Sequence, residues 1–487
     1  MVIPLPSPRL LGFILPSIYF GSLGYAALTV FASLATELLR PRPALCGLCM
    51  WYCGGAFAVT WSLIFAFFGE HLRQYGCDGS RLSLFTCHTA AWLGAPVGDT
   101  FVEAYRQVTD SSGGWAWSSS LLMFVVPACL WLHVEGARAG LPRPQQAAHL
   151  VLGFLGAISA SFPVAFAVVY HLQQQQQQQQ QRVGAFSLAV DMRWLALPGA
   201  VAVISAAVLP YTVRHAPGIF LLALALLHFV LMIPTLFNRM PPAVKAAAAA
   251  AASSSASSPS PSSSKGKSPA SPQAQLGALN RELSAVMRSL DAGDGSGKRA
   301  VRSSRRAGEE GFSWEADRHS GENDDEVKLA LLYATFAGAA ALQHCHNLAQ
   351  YSFLPEGALV GAAAAASSLS SSATAAPSWT AVSWARGLVS AGFAKNSCQS
   401  SIAWDAVLSG GACLAYMLAS GAPASALLNG RSSSSSSSPS PWLPTVKGAL
   451  PYVAASPVVS VAASFSAYLA VRSWKTAAAR WAREEAP

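Results

Sequence analysis

The chain has 487 residues, of which 52% are hydrophobic and only 11% are charged, and its formal net charge is +9. Soluble domains carry about 25% charged residues, so this composition argues against a soluble globular protein and indicates a membrane protein. The positive balance favours contact with anionic lipid headgroups over nucleic acid, because the basic residues do not cluster with aromatic ones.

Long uncharged apolar runs follow one another along the chain, each of roughly the 20 residues that a membrane-spanning helix needs. The runs are continuously apolar and do not alternate, which favours helices over the strands of a barrel. We therefore predict an all-α fold, a polytopic integral membrane helical bundle of nine transmembrane helices. In chain order the runs are Leu11–Ala32, Leu45–Phe68, Trp115–Val134, Ala147–Tyr170, Trp194–Val213, Pro217–Phe237, Leu329–Cys345, Cys398–Leu418 and Gly448–Val471.

The remaining segments divide the chain. Residues 1–237 form a six-span half, and residues 329–471 form a half of three spans, or of four if the weakly apolar run Gly357–Pro377 also crosses the membrane, which gives ten spans in all. Residues 238–328 are rich in Ala, Ser and Pro and predict a disordered linker, with a short amphipathic helix at 275–291. Residues 472–487 form a basic C-terminal tail. The repeats at Gln173–Gln181 and Ser432–Ser438 are expected to be loop insertions.

Asp405 is the residue that most strongly suggests chemistry. It is the only Asp, Glu, Lys or Arg within the nine apolar runs. Insertion of such a residue at the centre of a membrane helix costs about 2.5–3.5 kcal/mol, and intramembrane acids commonly serve as proton, ion or substrate sites. The structural alternative is an acid near the interface that ties helices together. Gln399 and Ser401 precede Asp405 on the same helix, and we expect both to contribute to substrate binding there.

The end of the seventh run carries His344, His346 and Asn347. If the chain has nine spans, these residues and Asp405 lie at similar depths, and an acid with a histidine suits proton relay or general base catalysis. We therefore take Asp405, His344 and His346 as candidate catalytic residues, with Asn347 in the binding set. If the chain has ten spans, the two groups start from opposite faces.

The cysteines give little support to a metal or cofactor site. Cys46, Cys49 and Cys53 are spaced to share one face of a helix, but no second pair accompanies them. Buried cysteine is also a common packing residue. We predict packing for these thiols, and we predict neither a metal nor a cofactor.

These observations favour a multi-pass membrane protein that acts as a transporter or channel for a small solute or ion, with Asp405 as its protonatable group. One alternative is a membrane-embedded enzyme acting on a lipid or isoprenoid, and another is a non-catalytic scaffold. The expected partners are the lipid bilayer and a small-molecule or lipid substrate, without nucleic acid. The expected location is an integral membrane position in an organelle that the sequence leaves open, as it does the oligomeric state.

Overall fold

The computed structural model describes residues 8–39, 41–74, 97–109, 112–180, 192–237, 314–353, 381–393, 396–420, 449–456 and 460–484. This part of the chain is 95% helical and contains no strand, which confirms the all-α prediction. The helices are α1 (Pro8–Leu38), α2 (Pro43–Gln74), α3 (Val97–Thr109), α4 (Ser112–Arg138), α5 (Arg143–Leu155), α6 (Ile158–Gln180), α7 (Arg193–His215), α8 (Pro217–Phe237), α9 (Trp314–Phe353), α10 (Ala381–Phe393), α11 (Ser397–Ser420) and α12 (Val461–Glu484).

Four of these helices are long and apolar enough to cross a membrane, which agrees with a membrane protein. Within the described residues they are Ser17–Leu38 in α1, Pro43–Glu70 in α2, Gly113–Arg138 in α4 and Ser397–Ser420 in α11. They coincide with the first, second, third and eighth predicted spans. Shorter apolar stretches occupy α7 and α8, at the predicted fifth and sixth spans.

The helices pack around α4 and α11. The apolar window of α4 is 89% buried, and α11 contacts α2, α4, α6, α10 and α12. Residues from both predicted halves, 1–237 and 329–471, therefore share one compact unit, which spans Met1–Val244 and His319–Pro487. Trp51 of α2 and Phe229 of α8 remain 77% and 75% exposed. Because α2 is one of the four apolar helices, an exposed tryptophan on its surface is suited to contact lipid.

Two predicted segments differ from the structure. The fourth span, Ala147–Tyr170, is not one helix, because α5 ends at Leu155 and α6 begins at Ile158. The ninth, Gly448–Val471, is helical over 449–456 and again from Val461, with Ser460 at a positive φ of 85°. Hydropathy measures transfer into lipid and is insensitive to such breaks in backbone geometry.

One further expectation is wrong at the level of secondary structure. The glutamine tract is not a loop, because α6 continues through it to Gln180. The basic residues of the predicted C-terminal tail belong to α12, which continues to Glu484. The predicted linker, 238–328, overlaps α9, which begins at Trp314. The remainder of the linker at 238–313, its helix at 275–291, the tenth run and the serine tract lie outside the described residues.

Candidate functional site

The site is built at the break between α5 and α6. Gly156, with φ −101° and ψ −84°, stops α5, and both Gly156 and Ala157 donate their backbone N–H groups to the carbonyl of Leu152, at 2.8 and 3.1 Å. A break inside an apolar segment leaves backbone groups without intrahelical partners, and these must be satisfied by other parts of the protein.

Side chains from α1 and α2 satisfy the carbonyl side of the break. The Tyr19 hydroxyl donates to the carbonyl of Leu155, and Trp61 Nε1 donates to the carbonyl of Gly156 at 3.0 Å. Trp61 is 4% exposed and stacks on Phe57 with ring centroids 5.4 Å apart. Side chains of α1 and α2 therefore stabilise the break, in addition to the contacts within α5 and α6.

Asp405 satisfies the amide side of the break. Its Oδ1 accepts a hydrogen bond from the Ser159 N–H at 2.7 Å, and its Oδ2 accepts one from the Ile158 N–H at 3.2 Å. The side chain thus caps the N-terminus of α6 from another helix, where the helix dipole favours negative charge. Asp405 is 6% exposed and has no cationic partner among the described residues.

Buried hydroxyls surround this carboxylate. Ser159 and Ser409 lie near enough to Asp405 to stabilise it electrostatically, yet neither hydroxyl has a hydrogen-bond partner with good geometry. The carboxylate therefore has two neighbouring hydroxyls in addition to the two backbone amides of α6.

The neighbouring predicted residues on α11 have other contacts. Ser401, predicted to bind substrate, donates to the carbonyl of Thr60 at 3.2 Å. Gln399 is fully buried, and its backbone N–H is capped by Asn396 Oδ1 at 2.7 Å, while its side-chain amide has no partner among the described residues. Ser401 and Thr60 therefore link α11 to α2 one turn from the carboxylate.

The residues predicted on α9 do not join this group. Asn347 is buried and donates to Ser119 Oγ, while it accepts from Gln343 Nε2 at 2.9 Å. His344 is partly buried, and its Nε2 has no hydrogen-bond partner in the described ranges. His346 is exposed. Among the described residues, no hydrogen bond joins Asp405 to His344.

The three cysteines at the start of α2 are buried, as expected for packing residues. Cys46, Cys49 and Cys53 are 3%, 7% and 1% exposed, and Cys46 Sγ lies 3.8 Å from the carbonyl of Leu34. Within the described residues no three His, Cys, Asp or Glu side chains are grouped to hold a metal ion.

A second buried charge cluster was missed by the sequence reasoning. Glu135 of α4 accepts hydrogen bonds from Arg138 at 2.6 Å, Arg472 at 3.0 Å and Gln173 at 2.5 Å. Arg138 also binds Glu326 of α9 at 2.6 Å. We refer to Glu135, Arg138, Glu326 and Arg472 as the ion-pair cluster. Its formal charges cancel.

An aromatic side chain beside the ion-pair cluster takes part in its hydrogen bonding through a hydroxyl group. Tyr416 accepts a hydrogen bond from Arg472 Nη1 and another from Trp131 Nε1, both at 3.0 Å. The available sequence signal was Glu135 with Arg138 three residues later, directly after an apolar run, and Arg472 directly after another.

No protein-family model, no curated protein and no solved structure matches this chain. Its function is therefore argued from the chemistry of the site and not from a relative.

Proposed function

We propose that this chain is a multi-pass membrane protein of nine or ten spans that transports a small solute or ion in exchange for, or together with, protons. Asp405 is the group that binds the proton. The proposal is carried by one observation: a buried carboxylate, with no cationic partner in the described ranges, caps a helix end inside an interrupted apolar segment. Discontinuous helices whose N-termini face a charged group are the usual substrate sites of secondary transporters.

The physical basis is a change in attraction between two helices. When Asp405 is ionised, it holds the N-terminus of α6 through two hydrogen bonds and through the helix dipole. Protonation removes the charge and weakens both hydrogen bonds, because charge-assisted hydrogen bonds are roughly twice as strong as neutral ones. The contact between α6 and α11 therefore depends on whether a proton is bound, which is what a proton-coupled conformational change requires.

The enzyme hypothesis is less well supported. It needs an acid and a base near one another, but His344 does not pair with Asp405 and His346 is exposed. Both oxygens of Asp405 accept hydrogen bonds from the backbone of α6. This arrangement is better suited to moving a helix than to transferring a proton to a substrate.

The test is flux through liposomes that contain the purified full-length protein. An inside-alkaline pH gradient is imposed, and its collapse is followed with an entrapped pH dye while small solutes are added outside. We expect solute-dependent proton entry with the wild type and none with Asp405→Asn. The control is Asp324→Asn, which alters an exposed acid of α9 and should behave like the wild type. Equal proton entry with wild type and Asp405→Asn would refute the proposal.

A further inference from the structure

We infer that α5 and α6 together form a re-entrant hairpin, which enters the membrane from one face, turns inside it at Gly156, and leaves by the same face. That face carries the ion-pair cluster, and we refer to it as the cluster face. The inference goes beyond the proposed function, since it concerns how the chain traverses the membrane and holds for any activity. One of the nine predicted runs, Ala147–Tyr170, then enters the membrane without crossing it.

The first observation is that α6 folds back along α5. The Ser161 hydroxyl donates to the backbone carbonyl of His149 at 2.5 Å and lies 3.4 Å from Nδ1 of the same residue. A Cβ at Gly153 would lie 3.5 Å from the ring of Phe162. In a continuous helix, two residues as far apart in sequence as 149 and 161 are separated by about 18 Å. Contact between them therefore requires a sharp turn back at the break.

The second observation is that both ends of the hairpin lie beside the end of α4. Residues 139–142 connect α4, which ends at Arg138, directly to α5, which begins at Arg143. At the other end of the hairpin, Gln173 Nε2 donates to Glu135 Oε2 at 2.5 Å. Glu135 lies in the last turn of α4. The chain thus leaves α4 at the cluster face, and α6 brings it back to the same place.

The lengths of the helices place the turn inside the membrane. The 13 residues of α5 reach about 20 Å from the cluster face at the rise of an α-helix. On α11, Tyr416 binds Arg472 at the cluster face, and Ser397 marks the opposite end, where it donates to Glu70 Oε2 at 3.0 Å. Asp405 lies about 12 Å from that opposite end. The two depths together make about 32 Å, close to the thickness of the hydrocarbon core.

The third observation is that α7 begins on the cluster face, as a hairpin requires. A Cβ at Gly199, in the second turn of α7, would lie 3.2 Å from Leu130 Cδ1 near the cluster end of α4. His133 Nε2 lies 2.8 Å from the carbonyl oxygen of Leu231, close to the end of α8. If α6 crossed the membrane, α7 would begin at the opposite face, and its first turns would lie beside the start of α4.

The turn of the hairpin is where polar groups are held inside the membrane. Non-helical backbone at membrane depth is tolerated only where it is buried in protein or lines a water-filled cavity. Here Tyr19, Trp61 and Asp405, from three other helices, bind the free backbone groups of the turn. The hairpin therefore explains why an apolar run of α11 contains a carboxylate.

The first experiment maps sidedness with a membrane-impermeant thiol reagent. Pro144→Cys, Gln175→Cys and His215→Cys alter exposed residues at the start of α5, on the outer part of α6 and at the end of α7. Each full-length variant is expressed in microsomes, where inserted copies share one orientation. Mass spectrometry measures the adduct at the introduced cysteine before and after permeabilisation. We expect Pro144→Cys and Gln175→Cys to react from one side and His215→Cys from the other.

A segment that crosses the membrane gives a different pattern. Pro144→Cys and His215→Cys would then react from one side and Gln175→Cys from the other. That pattern, or any other than the expected one, would overturn the inference.

The second experiment tests the turn itself in detergent. His149→Cys and Ser161→Cys are combined in one full-length variant and oxidised with copper phenanthroline. We expect a disulfide, because the Ser161 side chain reaches the backbone of residue 149. The control combines Ser118→Cys with Leu130→Cys, two buried positions of the same separation within α4. These lie about 18 Å apart, beyond the reach of a disulfide.

Absence of the disulfide between positions 149 and 161, or equal formation in the control, would contradict the hairpin. Neither experiment measures transport. A failure of proton-coupled flux therefore leaves the hairpin in place, and the crossing pattern of thiol labelling leaves the proposed transport in place.

Discussion

Two buried carboxylates in this protein are compensated in different ways. Glu135 binds two guanidinium groups, whereas Asp405 binds two backbone N–H groups. Removal of a charge from an ion pair leaves its partner charge buried and is strongly unfavourable. Removal of the charge from Asp405 leaves only neutral dipoles. Of the two acids, Asp405 is therefore suited to bind and release a proton, and Glu135 is suited to hold the structure.

At the residue scale we predict that Trp61→Phe destabilises the folded protein by about 1–3 kcal/mol, the cost of leaving one buried polar group unsatisfied. The variant keeps an aromatic ring against Phe57 but loses the donor to the carbonyl of Gly156. Unfolding in detergent, followed by tryptophan fluorescence or circular dichroism, measures the change.

The control is Trp51→Phe, which removes an indole from the same helix at a site that is 77% exposed. A change within about 0.5 kcal/mol is expected there, as for a surface substitution. Equal effects of the two variants would contradict the role assigned to the indole N–H of Trp61.

At the scale of elements, the sequence predicted both ends of four of the twelve named helices but not the breaks within two of the predicted spans. Hydropathy placed the spans that became α4, α7, α8 and α11 within a few residues, because transfer of a side chain into an apolar environment is largely a property of that side chain. The break between α5 and α6 depends on Tyr19, Trp61 and Asp405, which lie more than 90 residues away in sequence. No local pattern contains that information.

The candidate site, like the helices, was only partly predictable from the sequence. Asp405 could be predicted as important because a charge in an apolar run is unfavourable wherever it lies. Its partners could not, because they are backbone N–H groups, which every residue but proline carries and which leave no pattern in a sequence. The two histidines were attractive for their chemistry, but whether an imidazole meets an acid depends on tertiary placement, which the sequence does not show.

At the scale of elements we also predict that Gly156→Ala destabilises the junction between α5 and α6. A Cβ at this position would lie 2.6 Å from the carbonyl oxygen of Leu152, which is backbone and cannot rotate away, and 2.9 Å from Leu23 Cδ1. Relief of this clash must shift α5 relative to α6, so we expect a destabilisation of about 1–3 kcal/mol, typical of overpacking. Thermal unfolding in detergent provides the measurement.

Gly54→Ala is the matched control for Gly156→Ala. Gly54 lies within α2, and a Cβ there meets nothing within 4 Å. Alanine is also the better helix former, so this variant should be neutral or slightly more stable. A loss of stability as large as that of Gly156→Ala would show that the clash at the break is not the cause.

At the scale of the whole molecule, the ion-pair cluster connects helices that are distant in sequence. Glu135 on α4 is joined to Arg472 on α12 and to Gln173 on α6, and Arg138 extends the connection to Glu326 on α9. The side chains of Glu135 and Glu326 are only 5% and 1% exposed. Together with Asp405, these contacts join the first half of the chain to the helices that follow the linker.

We predict that Glu135→Gln destabilises the protein by about 3–5 kcal/mol, the usual cost of breaking a buried ion pair from one side. The substitution keeps the shape of the side chain but leaves Arg472 facing a neutral amide. The free energy of unfolding in detergent measures the effect, and a double-mutant cycle with Arg472→Met isolates the pair.

The control pair lies on α3. Glu103 and Arg106 are 3.5 Å apart, with side chains 32% and 51% exposed, and an exposed pair of this kind contributes about 0–1 kcal/mol. Glu103→Gln should therefore have little effect. If Glu135→Gln is equally mild, the cluster does not fasten the helices as described.

The helical conformation of the glutamine tract has a consequence for variation in the number of its glutamines. Its anchoring contacts come at the start of the tract, where Gln173 binds Glu135, Gln174 binds Arg42 and Gln175 binds His171. Copies added to or lost from a homopolymer are indistinguishable by position, so the first three residues of a longer or shorter allele are still glutamines in the same register. A change in repeat number during DNA replication would then alter only the C-terminal end of the helical tract. The contacts made by its first three glutamines should be the same at every repeat length.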